Sequence, residues 1–241
     1  MGGAAICDFA WLGRVEYEEA WQYQRELARR RALGEIADTI LLLEHPPVFT
    51  TGRRGPGANL RLPEEALGAP LVETDRGGDI TFHGPGQLIA YPIVDLRAAS
   101  LSVVSYVRAL EEAVVRTVLT YGIEAHTECG LTGVWVGETG PPAEKIAAIG
   151  VRIGKPGGPA GGWVTTHGLA LNVTVDLEWF ERIVPCGIGA RGVTSIESLT
   201  GQRPRLEDVA EVLRDALGYV LGREVRVVES AMVTGRARPA P

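Results

Sequence analysis

The chain reads as one globular domain that interleaves α-helices with β-strands, on three observations. Three segments repeat apolar residues at three- and four-residue steps, several short stretches are continuously apolar or alternating at strand length, and glycine and proline separate them. At 241 residues, with 45% hydrophobic and 22% charged residues, the chain is large enough to bury one sizeable core. Its 31 glycines and 15 prolines imply many turns and loops between the elements.

Ala4 to Phe9 predicts a short first strand, and the Arg- and Glu-rich amphipathic segment from Tyr17 to Leu33, closed by Gly34, predicts a helix. Thr39 to His45 is a short unbroken apolar run ended by Pro46-Pro47, which suits a buried central strand better than a helix. Glycines dominate Gly52 to Gly57. The segments Leu71–Thr74, Asp79–His83 and Gln87–Val94 are separated by Gly77-Gly78 and by Gly84-Pro85-Gly86, and read as strands joined by tight glycine turns.

Val103, Val107, Leu110, Val114, Val118 and Tyr121 recur at helical spacing, with Gly122 as a left-handed stop. Gly133–Gly137, Lys145–Ile153 and Trp163–Val175 predict further strands, the last two antiparallel across the glycine-rich loop 154–162. Asp176 caps a short helical pattern that runs to Arg182 and delivers the chain into a turn at Pro185-Cys186-Gly187. Leu206 to Leu221 predicts a third helix, and Glu224–Val228 alternates like an edge strand. The tail 234–241 carries no apolar stripe and reads as disordered.

A formal net charge of −6 argues against a general nucleic-acid binder, which needs a surplus of Lys and Arg on one face. Arg53, Arg54, Arg76, Arg152, Lys155, Arg182 and Arg191 fall in loop-like contexts and would form either a local basic rim or scattered solvated charge. Cys7, Cys129 and Cys186 fit neither a disulfide framework nor a metal motif; no metal site is indicated, and an odd count suits a reducing cytoplasm. No stretch approaches the ~20 apolar residues of a membrane span, so a soluble cytoplasmic protein is expected.

Cys186 is the first candidate for chemistry. A buried structural thiol is the common fate of this residue type, but a turn flanked by proline and glycine can expose the sulfur and aim backbone N–H groups at an acyl oxygen. Lys145, 41 residues upstream, is nearly alone in a chain whose positive charge is mostly arginine. Lysine, unlike arginine, can give and take protons when burial lowers its pKa, and a neighbouring ammonium favours a thiolate. The bland alternative is an edge-strand lysine that snorkels to solvent.

Arg76 to Gln87 is the densest polar and glycine-rich stretch, suited to close approach of backbone to a ligand, yet it matches neither common phosphate-loop pattern. His83 and His167 read equally as proton carriers or as hydrogen-bonding fixtures of their loops.

Five segments in order carry a family resemblance: Glu44 to Thr50, the run R-G-G-x-x-T-F-H-G-P-G-Q from Arg76 to Gln87, Lys145-Ile146 with Ala148-Ile149-Gly150, His167 to Asn172, and Pro185-Cys186-Gly187. Together they resemble the lipoate-biosynthesis octanoyltransferase (lipoyl(octanoyl) transferase) family over about residues 40 to 200. The resemblance implies an α/β fold, a mixed sheet flanked by helices like the catalytic domains of biotin and lipoate protein ligases. Residues 1–200 would form the catalytic domain and 201–233 a C-terminal helix and strand packed on it.

It also implies transfer of octanoyl from octanoyl-acyl carrier protein to a lysine of the lipoyl domains of 2-oxoacid dehydrogenase complexes and of the glycine cleavage H protein, without cofactor. Cys186 would carry the acyl group as a thioester and Lys145 would activate it. Arg76, Gly77, Gly78, Asp79, Ile80, Thr81, Phe82, His83, Ala148, Ile149, Gly150, Gly168, Leu169 and Ala170 would line the acyl pocket. The alternatives are an ATP-dependent lipoate or biotin ligase of the same fold, and a non-catalytic acyl-binding scaffold.

Overall fold

Alternation along the strands of one large sheet sets the architecture of the computed structural model, which describes residues 5–53, 55, 59–140, 143–154, 162–184 and 191–235. In β2 (Asp38–Glu44), Ile40 and Leu42 enter one core while Leu41 and Leu43 enter another. β6 (Gln87–Ile93) does the same, with Leu88 and Ala90 on one face and Ile89, Tyr91 and Ile93 on the other. A sheet apolar on both faces must be covered on both.

The helices provide that cover. α1 (Tyr17–Ala32) packs on one face, with acidic residues in its first turn and Arg29, Arg30 and Arg31 in its last, which complements the helix dipole. α2 (Val103–Leu119) and α4 (Leu206–Val220) pack together on the other. Ser102 and Ser105 close a reciprocal capping box at the start of α2.

Among the described residues the large sheet has eight strands in the order β11-β1-β2-β6-β10-β9-β8-β7. Its further members are β1 (Ala5–Arg14), β7 (Ala125–Glu128), β8 (Leu131–Val136), β9 (Glu144–Ile153), β10 (Thr165–Asn172) and β11 (Arg223–Val227). β1 runs parallel to β2 and β11, and the remaining pairs are antiparallel, including β9 with β10 across the loop 154–162. The fold is therefore α/β with a mixed sheet flanked by helices.

A second sheet, β4-β3-β5, joins β3 (Val48–Thr51), β4 (Leu71–Glu73) and β5 (Thr81–His83). It covers a third core with Phe49, Phe82 and the 3-10 turn Leu177–Arg182. Here the structure departs from the expected run of hairpins. β5 and β6 flank the Gly84-Pro85-Gly86 turn but do not pair; β5 joins β3 and β6 joins β2 and β10. Gly86 donates to Glu44 and accepts from Val173 and Thr174, so the turn passes the chain from one sheet to the other. β3, β7 and two short helices, α3 (Ile196–Thr200) and α5 (Ser230–Thr234), were not expected from the sequence. The expected tail begins inside α5, and residues 236–241 lie outside the described residues.

The C-terminal segment is locked to this sheet by Asp38, which is 3% exposed. Its carboxylate accepts from Arg31 Nε at 2.7 Å, from Arg223 Nε at 2.8 Å and from the Asp95 backbone N–H at 3.0 Å. Removing that carboxylate would leave Arg223 buried without its counter-charge. Asp38→Ala is expected to lower the free energy of unfolding by about 3–5 kcal/mol, measured by urea titration.

Candidate active site

Between β4 and β5 the chain loops beside β9, and backbone pairing holds it there: Gly77 N–H donates to Val151 O at 2.9 Å and Arg53 N–H to Arg76 O at 3.1 Å. The result is a cleft of about 470 Å³, open to solvent at its mouth, walled by the Arg76–His83 loop, β9 and β10. Twelve of the fourteen residues expected along the acyl pocket line it, all but Ile80 and Phe82. Those two are fully buried in the third core, where Phe82 stacks on Trp179. Alternation at β5 sends Thr81 and His83 to the cleft and Ile80 and Phe82 away from it. Tyr17, Tyr91 and His167 also line the cleft and were not assigned to it from sequence.

A side chain at Gly168 would run into the Ala90 carbonyl oxygen, so glycine is required for β10 to lie this close to β6. Its neighbour His167 has φ 57°, unusual for a residue with a side chain, and its N–H donates to Gln24 Oε1 at 2.6 Å. The ring Nε2–H donates to Asp75 Oδ1 at 2.8 Å, and Arg152 pairs with the other oxygen of Asp75 at 3.0 Å. Burial lowers the pKa of His167. Asp79 braces its own loop, accepting from Asn59 Nδ2 at 2.7 Å and from Ile80 N–H at 2.6 Å.

Beneath the cleft runs a chain of buried hydrogen bonds. Arg76 donates to the Thr50 carbonyl at 2.7 Å and to Thr50 Oγ1 at 2.9 Å, and Thr50 Oγ1 lies 3.3 Å from His83 Nε2. Gln87 donates through Nε2 to Asn172 Oδ1 at 2.9 Å, so its Oε1 is the acceptor facing His83 Nδ1 at 2.7 Å. That fixes the tautomer: Nδ1 carries the proton and Nε2 accepts from Thr50. Burial pulls the His83 pKa down to about 3, and neighbouring His45, held between the Val15 carbonyl and Tyr91 Oη, down to about 4. Both rings are neutral near pH 7, and each is a hydrogen-bonding fixture.

The chain continues from Asn172, which donates to the Thr194 carbonyl at 2.9 Å, and Thr194 N–H donates to the Lys145 carbonyl at 3.0 Å. Lys145 N–H in turn donates to Gly192 O at 3.0 Å. Lys145 is 6% exposed, and its Nζ sits 4.6 Å from the centroid of the Trp135 ring. It therefore does not snorkel to solvent. Gly133, at φ 125°, makes room for it, because a Cβ there would come within 2.8 Å of Ala147 O and 3.2 Å of Lys145 Cε.

Cys186 lies outside the described residues, but the chain on either side of it is described. Upstream, Ile183 bridges Leu60, and Val184 N–H donates to Asn59 O at 2.7 Å. Downstream, Gly192 and Thr194 grip the peptide of Lys145. Cys7 is buried, with its thiol pushed up by burial, and Cys129 is exposed. Of the basic residues that could rim the site, Arg76, Arg152, Arg182 and Arg191 bond to other parts of the fold, Arg53 is exposed, and Arg54 and Lys155 lie outside the described residues. Among the described residues no cluster of side chains could hold a metal ion, and no helix is long and apolar enough to cross a membrane.

A fold with one large mixed sheet, a cleft along the middle of β9 and β10 and a buried lysine on β9 defines the class. The chain belongs to the lipoyl protein ligase A/B catalytic domain family, which matches residues 16–218. Within that family it falls among the octanoyltransferases. The octanoyltransferase of Chloroflexus aurantiacus is 48% identical over 225 residues, covering 92% of this chain and 97% of the relative. That of Rubrobacter xylanophilus is 48% identical over 214 residues, covering 87% and 91%. A structure of the archaeal lipoylation system of Thermoplasma acidophilum, a bipartite lipoate protein ligase and its E2 lipoyl domain, aligns with a TM-score of 0.69 at 16% identity, covering 96% and 89%. At that identity it speaks for the fold alone.

The two neutral histidines make stability depend on pH. Their folded pKa values, about 4 and about 3, lie below the ordinary 6.5, so the unfolded chain binds protons that the folded one refuses. Stability is then full above pH ~7 and falls as pH drops through 6.5 towards 4, by about 1.4 kcal/mol per pH unit for each ring. Urea midpoints at pH 7.5, 6 and 5 should decline in that order; a level series would contradict the assignment.

Proposed function

We propose that the chain takes octanoyl from the phosphopantetheine thioester of acyl carrier protein, holds it on Cys186, and delivers it to a lysine of lipoyl domains. The Cys186 thiolate adds to the thioester carbonyl, the carbon–sulfur bond to the carrier breaks, and the carrier thiol leaves with a proton given by the Lys145 ammonium, which becomes the neutral amine. The neutral amine of the target lysine then adds to the acyl-cysteine. The amide forms, the Cys186 thiolate departs, and Lys145 takes the proton the amine sheds. The acceptors are the lipoyl domains of 2-oxoacid dehydrogenase complexes and the glycine cleavage H protein. No cofactor enters the balance.

The observation that carries the reading is the grip of the loop stem on Lys145: Gly192 and Thr194, a few residues past Cys186, bond both polar atoms of the lysine's own backbone. Support comes from the other stem as well. Val184, two residues before Cys186, is bonded to Asn59, whose side chain holds Asp79 of the cleft wall. Two residues of chain span at most about 7 Å, which favours a thiol at this corner of the cleft. The cleft itself, with Ala148, Ile149, Gly150, Leu169 and Ala170 along its wall, suits an unbranched acyl chain.

Intact mass spectrometry tests the proposal. Incubation with octanoyl-acyl carrier protein should add one octanoyl group to the protein, and Cys186→Ala should add none. Lys145→Ala should slow formation of the adduct by about 10²–10⁴-fold, the range of a lost general acid–base. Octanoate, ATP and apo lipoyl domain together should give no product; product there would favour the ATP-dependent ligase reading, and no adduct in any arm would favour a non-catalytic scaffold.

A further inference from the structure

Two cations converge on one buried ring. Trp135 on β8 is 1% exposed, Lys145 Nζ lies 4.6 Å from its centroid, and Arg191 Cζ lies 4.8 Å from it. Packing alone does not ask for this, since the flanking positions Val134 and Val136 fill the same strand with aliphatic residues. An ammonium at 6% exposure has lost most of its hydration, and among the described residues no carboxylate pairs with it; the indole face replaces part of that hydration.

Arg191 is the first described residue after Cys186. Its guanidinium pairs with Glu128 at 3.0 Å, and Glu128 is held by the Gly140 N–H at 2.7 Å and faces His126 Nε2 at 3.3 Å. The two cations are no farther apart than about one Debye length at 0.1 M salt (~10 Å), so they repel unless one is neutralised. Glu128 does that for Arg191 and leaves the field of Lys145 uncancelled. The other charged groups nearby are engaged or set aside from the ring: Glu111 pairs with Arg108 and takes the Gly133 N–H, and the carboxylate of Glu144 lies against Gly192.

We propose that Trp135 is a positioning residue for the acyl transfer: one indole seats the Lys145 ammonium and the guanidinium of Arg191, five residues past Cys186 in the sequence. This rests on the Cys186–Lys145 reading above. Trp135 touches neither acyl group nor carrier; it acts through the two cations.

The test compares Trp135→Phe, which keeps a weaker ring, with Trp135→Leu, which removes it. Iodoacetamide alkylation is followed from pH 5 to 9 on the Cys186 peptide by mass, because Cys129 is also exposed. Trp135→Leu should raise the pH midpoint of alkylation and slow acylation by octanoyl-acyl carrier protein about ten- to thirtyfold, the worth of one desolvated cation–π contact, with Trp135→Phe between. KM for the lipoyl domain should not move. Coincident profiles for Trp135→Leu and the parent would overturn the proposal. If loss of the ring prevents folding, Glu128→Gln decides, since it takes the counter-charge from Arg191 and keeps the size of the side chain: a several-fold loss of acylation rate supports the shared seat and an unchanged rate overturns it. Lys145→Ala run alongside separates the levels. An unmoved profile there defeats the dyad itself, whereas a moved one beside an unmoved Trp135→Leu defeats only the seat.

Discussion

The structure depends on one buried run of hydrogen bonds, Arg76 to Thr50 to His83 to Gln87 to Asn172 to Thr194 to the peptide of Lys145. It passes from the cleft loop through the second sheet, crosses β6 and β10, and ends on the strand that carries the lysine. Each polar group in it has left water and would cost about 1–3 kcal/mol if its partner were lost. That penalty makes the run directional: Gln87 has one orientation that satisfies both neighbours, and His83 one tautomer. The cleft wall and the lysine are therefore set in register by hydrogen bonding, where apolar packing alone would allow several arrangements.

Neutrality of the histidines is a condition of that run. A second proton on His83 would turn Nε2 into a donor facing Thr50 Oγ1, which already accepts from Arg76. The positive charge of Arg76 and the neighbouring His45 oppose it, and burial opposes it most. His167 differs because its ring meets a carboxylate, yet Asp75 divides its charge with Arg152. Tyr17 and Tyr91, whose hydroxyls burial pushes up, stay protonated as well. The histidines and tyrosines of the cleft accordingly orient without ionising, and its fixed charges are those of Arg76 and Asp79, each held by its own hydrogen bonds.

Much of the layering was legible because it rests on local pattern. The unbroken run Thr39–His45 announced a strand covered on both faces, and β2 is one; helical spacing from Val103 and from Leu206 announced α2 and α4. The glycine-rich run Arg76–Gln87 stood out in the sequence and does wall a cleft, but its alternation was not legible, so Ile80 and Phe82 went unrecognised as core. The hydrogen-bonded run could not be read at all, since Gln87 and Asn172 are 85 positions apart and Arg76 and Thr50 are 26 apart. Nothing local distinguishes such a glutamine from a solvated one. Trp135 was hidden for the opposite reason, since a large apolar residue in a strand is sufficiently explained by packing, and its cations arrive from β9 and from beyond the cysteine loop.

The same backbone supports lipoate protein ligase chains at 16% identity, so the scaffold does not by itself select the chemistry. Selection must then sit in side chains, and Cys186 falls in a stretch of sequence whose flanks, at Val184 and from Arg191 to Thr194, are described. The two flanks are fastened to different parts of the site, one to Asn59 beside the cleft loop and the other to the lysine strand. The bonds that fasten those flanks, Val184 N–H to Asn59 O, Lys145 N–H to Gly192 O and Thr194 N–H to Lys145 O, run from backbone to backbone. Backbone bonds are indifferent to side-chain identity, so the side chains between those flanks can vary while the backbone hold on Lys145 stays as it is.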